Sequence, residues 1–283
     1  MKNELAIIIL TFNSEKIVKD TIMAAKKISK NIIIVDSFSS DKTIQIVKKL
    51  KCKIFKRKFI NYSDQRNYII KKCNALYDWQ LHLDSDEILS NELIKNIKII
   101  IENNLKNNAY ILKRHIYFLN KKLKFGRNAN WHLRLFPSNT TICEKKPYDQ
   151  HFISRLEVKK IKGALDDKNI SDLTNWINNH NKWSSLSAAE KEIKSKNLIK
   201  PNLFGNDIER TKFFKNIILS LPIGFKGFIL FFIKYFLLLG FLDGKAGFIY
   251  CFLNSFWFHT LIDAKKIESN NDMNNYSKFI KKI

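Results

Sequence analysis

Along the first ninety or so positions, short unbroken runs of Ile, Leu and Val alternate with stretches in which apolar and polar residues mix at helical spacing. The pattern predicts a strand over Ala6–Thr11, a helix near Ser14–Ile28, a strand over Ile32–Asp36, a helix near Asp41–Leu50 and a strand over Lys53–Lys56. A helix around Tyr62–Asn74 and a strand over Asp78–Leu83 follow. Uninterrupted β-branched runs suit strands covered on both faces, and helices between them make βαβ units of a parallel, doubly wound sheet. A helix from about Asn91 and strands over Ala109–Arg114 and His132–Phe136 continue the α/β reading.

The second half differs. Residues 171–196 form a polar helical stretch with Trp176, His180 and Trp183, in which the two tryptophans share a helix face and read as packing or as a platform for a sugar. From about Phe213 the polarity falls. Gly227–Leu242 and Ala246–Ile262 flank the turn-like Asp243-Gly244, and each is shorter than the roughly 20 residues that cross a bilayer. Their Phe and Trp content favours an interfacial or re-entrant helical hairpin over two spans, with a buried helical core as the alternative. The expected layout is a catalytic domain over 1–165, a helical connector over 166–212 and a membrane-associating helical region over 213–283.

Charge narrows the partners. Fifty Lys and Arg against 26 Asp and Glu give a formal charge of +24 over 283 residues. No basic block is interleaved with stacking aromatics, so nucleic acid is not expected as a partner and an anionic membrane surface is. Composition bias in a Lys-, Ile- and Asn-rich chain is the competing account. The four cysteines show no C-x-x-C pair, which supports neither a zinc ribbon nor a disulfide framework. The start carries no signal-peptide pattern, and the catalytic half is expected in the cytoplasm.

The sharpest chemistry lies in Leu83-Asp84-Ser85-Asp86-Glu87. Two carboxylates one residue apart at a strand end can share a hard divalent cation, and that cation can bind a diphosphate. The same residues can serve only as a helix cap, through Asp86 or Ser90. Strands one and two end in Thr11-Phe12-Asn13 and Asp36-Ser37-Phe38-Ser39-Ser40-Asp41, and loops after parallel strands share the sheet edge where ligands bind. Asp36 is placed to accept from a nucleobase imide, Thr11 and Asn13 to meet base or ribose, and Asp41 to cap its helix.

LTFN, VDSFSSDKT and HLDSDE together resemble the inverting family 2 glycosyltransferases of the GT-A fold. The resemblance implies that Asp36 contacts the base and that Asp84 and Asp86 bind ribose and a metal diphosphate, with Mg or Mn as the metal and a UDP-sugar as donor. Gln65-Arg66-Asn67, the segment from Trp131 to Phe136, and a C-terminal segment around Gly240–Phe248 are similar to the subgroup that elongates lipopolysaccharide core and surface polysaccharide. A lipid-linked acceptor and a place on the cytoplasmic face of the bacterial inner membrane are then implied. Arg66 and Arg134 each suit a phosphate contact or a structural ion pair. Inversion requires a general base, for which Asp149 is the first choice and His151 the second, a plain loop being the alternative. A sugar-phosphate nucleotidylyltransferase and a non-catalytic basic membrane adaptor remain open. The nucleotidylyltransferase is disfavoured because LTFNSE lacks a glycine-rich phosphate loop.

Overall fold

The Ile run of β1 (Leu5–Thr11) is buried on both faces, and its alternate side chains serve two different cores. Leu5, Ile7 and Ile9 join Val18 and Ile22 of α1 (Val18–Lys26), Val47 of α2 (Thr43–Lys49) and Leu93, Ile94, Ile97 and Ile100 of α4 (Asn91–Glu102) on one face. Ala6 and Ile8 join Ile69 and Cys73 of α3 (Tyr62–Asn74) on the other. Period-two alternation thus places helices on both faces of one sheet. The computed structural model describes residues 4–126, 129–145, 150–168, 172–189, 202–204, 221–222 and 224–271, with positions 210, 213, 214 and 217 between them.

The remaining strands are β2 (Asn31–Asp36), β3 (Lys53–Lys56), β4 (Trp79–Asp84), β5 (Glu87–Leu89), β6 (Asn108–Phe118), β7 (Lys121–Lys122), β8 (Ala129–Pro137), β9 (Thr141–Cys143), β10 (Phe152–Ser154) and β11 (Glu157–Asp167). Among the described residues the main sheet runs β3-β2-β1-β4-β8-β6-β11-β5, with β7 beside β6 and a separate β9–β10 ribbon. Strands β3, β2, β1 and β4 are parallel, and β8 pairs antiparallel with both β4 and β6. The predicted α/β fold is the one observed, with element ends moved by a few residues.

Two local choices shape the site side of this sheet. Ser90 caps α4, its hydroxyl accepting from Leu93 N at 3.3 Å, so Asp86 does not serve as that cap. Gly163 lies at φ +95° in an irregular stretch of β11 between Lys160 and Ala164. A Cβ there would sit 2.4 Å from Leu93 N, so only glycine lets strand and helix close.

The chain forms two compact units, Met1–Leu123 with Asn128–Ile170 and Lys124–Arg127 with Ser171–Ile283. The second holds α5 (Leu173–Ala189), α6 (Phe225–Phe232), α7 (Gly244–Cys251) and α8 (Phe258–Asn271). Helix α6 runs on as a π-helical turn, Ile233–Leu237, and a second π-helical turn, Phe252–Trp257, joins α7 to α8. No single helix among the described residues is long and apolar enough to cross a membrane. Phe225–Leu237 and Gly240–Glu268 pass together only as a pair bent by 73°. The bend lies where Leu239 adopts a left-handed φ of 59°.

Trp176 and His180 stack at 3.5 Å, and the His180 Nδ1–H donates to Trp176 O at 2.9 Å. Trp176 is buried and lies edge-on to Tyr250, so this tryptophan packs the unit. Lys265 ties α8 to α5 by donating to Asn181 O, Ser184 Oγ and Ser185 Oγ, each at 2.7 Å. Inside the hairpin, buried Lys226 pairs with buried Asp263. Asp243, 2 % exposed, accepts from Lys124 N at 3.1 Å and Phe125 N at 2.9 Å.

Candidate active site

Strands β2, β1 and β4 are adjacent and parallel, so Asp36, Thr11 and Asp84 emerge along one edge; Thr11 stands opposite Asp36 and Leu10 opposite Asp84. The Thr11 hydroxyl donates to Asp36 Oδ1 at 3.0 Å, the Ser39 hydroxyl donates to the same oxygen at 2.5 Å, and Ser39 N donates to Oδ2 at 2.9 Å. Asn13 closes the clasp: its N donates to Ser39 Oγ at 3.0 Å and its Oδ1 accepts from Ser40 N at 2.9 Å. A carboxylate offers about four acceptor sites, so fully buried Asp36 has one left. Asp41 accepts from Thr43 N and Glu15 N at the entry to α2. Phe12 and Phe38 stand 60 % and 57 % exposed beside the clasp, and Phe38 holds a left-handed φ of 62°, an outlier for a bulky residue.

Next to this clasp lies a dense charge network. Asp84 accepts from Arg66 at 2.5 Å through Oδ1 and from Arg134 at 2.8 Å through Oδ2, and Arg134 also donates to buried Glu87 at 2.7 Å. Arg114 stands 3.8 Å from Glu87 and 3.6 Å from Asp167. Burial pushes the Asp84 carboxyl upward, but Arg134, Arg66 and Arg114 hold it well below its ordinary range. Burial also works against the Arg134 cation, and Glu87 and Asp84 outweigh it and raise its pKa. Both arginines predicted to meet phosphate or to form structural ion pairs are ion-paired here.

Asp86 differs from Asp84. Burial, then Asp167, Asp84 and Glu87, push its carboxyl well above the ordinary value. Asp167 is likewise raised to about 6, by burial first and by Glu87 and Asp84 against the pull of Arg114. Four carboxylates, Asp84, Asp86, Glu87 and Asp167, face three guanidiniums, leaving the cluster one positive charge short. No group of three or more His, Cys, Asp or Glu side chains placed for a metal occurs among the described residues. Asp84 and Asp86 offer carboxylate oxygens at the end of β4, the hard donor chemistry that a magnesium-type ion takes. Tyr62 borders the cluster, its phenol pushed up to about 12 by desolvation, then by Asp84 and Asp86.

Helix α3 stitches these parts together through consecutive side chains. Gln65 donates to Ser37 Oγ at 3.3 Å, Arg66 holds Asp84, and Asn67 clamps the Cys143 backbone, donating to its O at 2.8 Å and accepting from its N at 2.9 Å. Beyond Cys143, buried Glu144 lies 3.5 Å from His151 Nδ1. Phe152 packs under Arg66 at 5.8 Å and against His82 at 5.0 Å. His132 is neutralised by burial and by Arg114, Arg134 and His151. Asp149, the first-choice base, lies outside the described residues.

The structure thus gathers Thr11, Asn13 and Asp36 in one cluster and Arg66, Asp84, Asp86 and Arg134 in its neighbour. Sequence reasoning assigned no role to Arg114, Asp167, Tyr62 and Glu144. Asp167 meets the site because antiparallel pairing sets it opposite Glu87, a register that no local motif announces.

Residues 6–154 match the family model described as glycosyl transferase family 2. Relatives include a glycosyltransferase of Rickettsia typhi, 35 % identical over 92 residues that make up 32 % of this chain and 31 % of that one. A second, from Rickettsia conorii, is 33 % identical over 100 residues, 35 % of each chain. The matched segment spans about a third of the length of these relatives. Among solved structures, S. aureus TarS 1-349 is 15 % identical with a TM-score of 0.45, over 97 % of this chain and 91 % of that one. Glucosyl-3-phosphoglycerate synthase of Mycobacterium tuberculosis is 14 % identical with a TM-score of 0.32, over 41 % and 44 %.

Proposed function

The chain belongs to glycosyl transferase family 2, and from that premise we propose that it transfers a sugar, with inversion, from a UDP-sugar to a lipid-linked glycan such as lipopolysaccharide. The observation that carries this reading is the buried Asp36 clasp beside a carboxylate cluster one cation short, both at the ends of adjacent parallel strands. Asp36 offers its remaining acceptor site to the imide N–H of uracil, and exposed Phe12 and Phe38 present faces on which a base can stack. Thr11 and Asn13 fix the shape of that pocket by holding Asp36 and Ser40. Arg66 and Arg134 offer their guanidiniums to a diphosphate that competes with Asp84 for them.

Asp86, with Asp84 beside it, would hold a Mg or Mn ion. When bound, that ion would supply Lewis-acid stabilisation of charge on the departing diphosphate. The attacking acceptor hydroxyl gives its proton to a base in the segment that includes Asp149 and His151.

The second unit supports a peripheral or monotopic place on the cytoplasmic face of an inner membrane. Phe225, Phe228, Phe236 and Phe241 stand 65 %, 56 %, 48 % and 42 % exposed on its bent helical pair, and the excess of lysine suits anionic headgroups. Nucleic acid has no place in this reading.

Calorimetric titration of UDP in the presence and absence of Mn tests it. The wild type is expected to bind UDP more tightly with Mn, and Asp86→Asn to lose the Mn-dependent part, roughly tenfold or more in Kd. Failure to bind any of UDP, GDP, dTDP or CDP under either condition would sink the reading and favour a non-catalytic adaptor.

A further inference from the structure

We propose that Arg114 binds the terminal phosphate of the nucleoside diphosphate, in the donor and in the leaving group, an inference that rests on the transferase reading above. Arg114 stands on β6, with Leu165 of β11 opposite it on one side and Asn130 of β8 on the other. Its guanidinium has carboxylates near it but bonded to none. One terminal nitrogen lies 3.8 Å from Glu87 Oε1 and 3.6 Å from Asp167 Oδ2, beyond hydrogen-bond length, and Nε is buried without a partner. Among the described residues no acceptor takes a hydrogen bond from the Arg114 side chain. The neighbouring arginines are committed: Arg66 donates to Asp84 at 2.5 Å, and Arg134 donates to Asp84 at 2.8 Å and to Glu87 at 2.7 Å. Those two must break a short charge-assisted bond to reach a phosphate, whereas Arg114 breaks none.

Sheet order sets which phosphate Arg114 meets. With the base at Asp36 on β2, the strand ends pass through Thr11 on β1 and Asp84 on β4 toward β8 and then β6, the strand of Arg114. Glu87 Oε1, which accepts from Arg134, is also the carboxylate oxygen beside Arg114, so the two guanidiniums are neighbours. A nucleoside diphosphate laid along this edge points its terminal phosphate toward Arg114, whose side chain is 23 % exposed. Burial works against the Arg114 cation, and Asp167 and Glu87 outweigh it, so the fork stays charged and aimed. In the transfer, the acceptor oxygen bonds to the anomeric carbon as the bond from that carbon to the terminal phosphate oxygen breaks. The bonding pair stays on the phosphate oxygen and the hydroxyl proton passes to the base. Negative charge thus grows on the terminal phosphate, where a donor held in place beforehand stabilises it most.

The test is calorimetric titration of whichever of UDP, GDP, dTDP and CDP binds most tightly, alongside its monophosphate, with Mn and with EDTA. Arg114→Gln is expected to weaken the diphosphate roughly 10- to 30-fold in both buffers and the monophosphate by less than about twofold. Arg114→Lys keeps a charge between Glu87 and Asp167 but loses the fork, and is expected to weaken the diphosphate about threefold, again sparing the monophosphate. It keeps the proposal falsifiable should Arg114→Gln not fold. A residue that only packs or balances charge would move both nucleotides together. Equal losses for the two nucleotides, an unchanged diphosphate Kd in a folded variant, or a loss confined to the Mn buffer overturns the proposal and leaves the transferase reading standing. A wild type that binds none of the four diphosphates overturns the transferase reading itself.

Discussion

The two units place their buried charge differently. In the first, β1 and its neighbours bury Ile on both faces, and charge is gathered where the strands end. In the second, Lys226–Asp263 and Asp243 are buried while phenylalanines line the outside. The exposed rings make an apolar surface, and the interior ion pair must offset the desolvation of both its charges.

The largest expected effect breaks the buried pair of the second unit. Lys226→Met leaves Asp263 charged and unpaired, and should destabilise the second unit by about 3–5 kcal/mol in urea unfolding followed by tryptophan fluorescence. Replacing both partners with Met and Leu should return most of that loss. A single-variant loss below about 1 kcal/mol would mean the pair is wet, and the contrast between the units would weaken.

A smaller effect comes from acid. Burial lowers the His180 imidazole from its ordinary 6.5 to about 4 while its Nδ1 bonds Trp176 O. The unfolded chain therefore takes up the proton first. This contribution is whole above pH 6.5 and falls as pH drops toward 4, by about 3 kcal/mol at most. Thermal melts of the wild type should show this slope between pH 6.5 and 4, and His180→Gln should flatten it. An equal slope in both proteins would place the titration elsewhere.

The smallest effect sharpens the exterior. Phe236→Ser with Phe241→Ser should reduce partitioning onto phosphatidylglycerol vesicles about 30-fold, from roughly 1 kcal/mol per half-buried ring. Salt of roughly 1 M should strip the lysine contribution and leave the aromatic one. Complete release of the wild type by salt alone would contradict an inserted surface.

Much of the sheet domain was legible because its determinants are local. The Ile runs marked β1 and β2, the Asn61 side chain accepting from Asp64 N starts α3 at Tyr62, and the polar triplets after each strand marked the edge where Thr11, Asp36 and Asp84 emerge. What stayed hidden depends on register and distance. Asp167 joins the cluster through a β11–β5 pairing 80 residues apart in sequence, between Asp167 and Glu87. Glu144 reads as one charge in a polar loop until the β9–β10 ribbon turns it inward against His151. The paired runs around Asp243-Gly244 read as a helical hairpin. The π-helical turns and the left-handed Leu239 that bend it leave no hydropathy signature.

The Asp243 carboxylate that receives Lys124 N and Phe125 N lies 118 to 119 positions further along the chain. During synthesis at roughly 5–20 residues per second, those two amides wait on the order of ten seconds for their acceptor. Over the later part of that interval, once Asp167 has been made, the nascent chain holds its sheet-edge carboxylates and an unfinished loop.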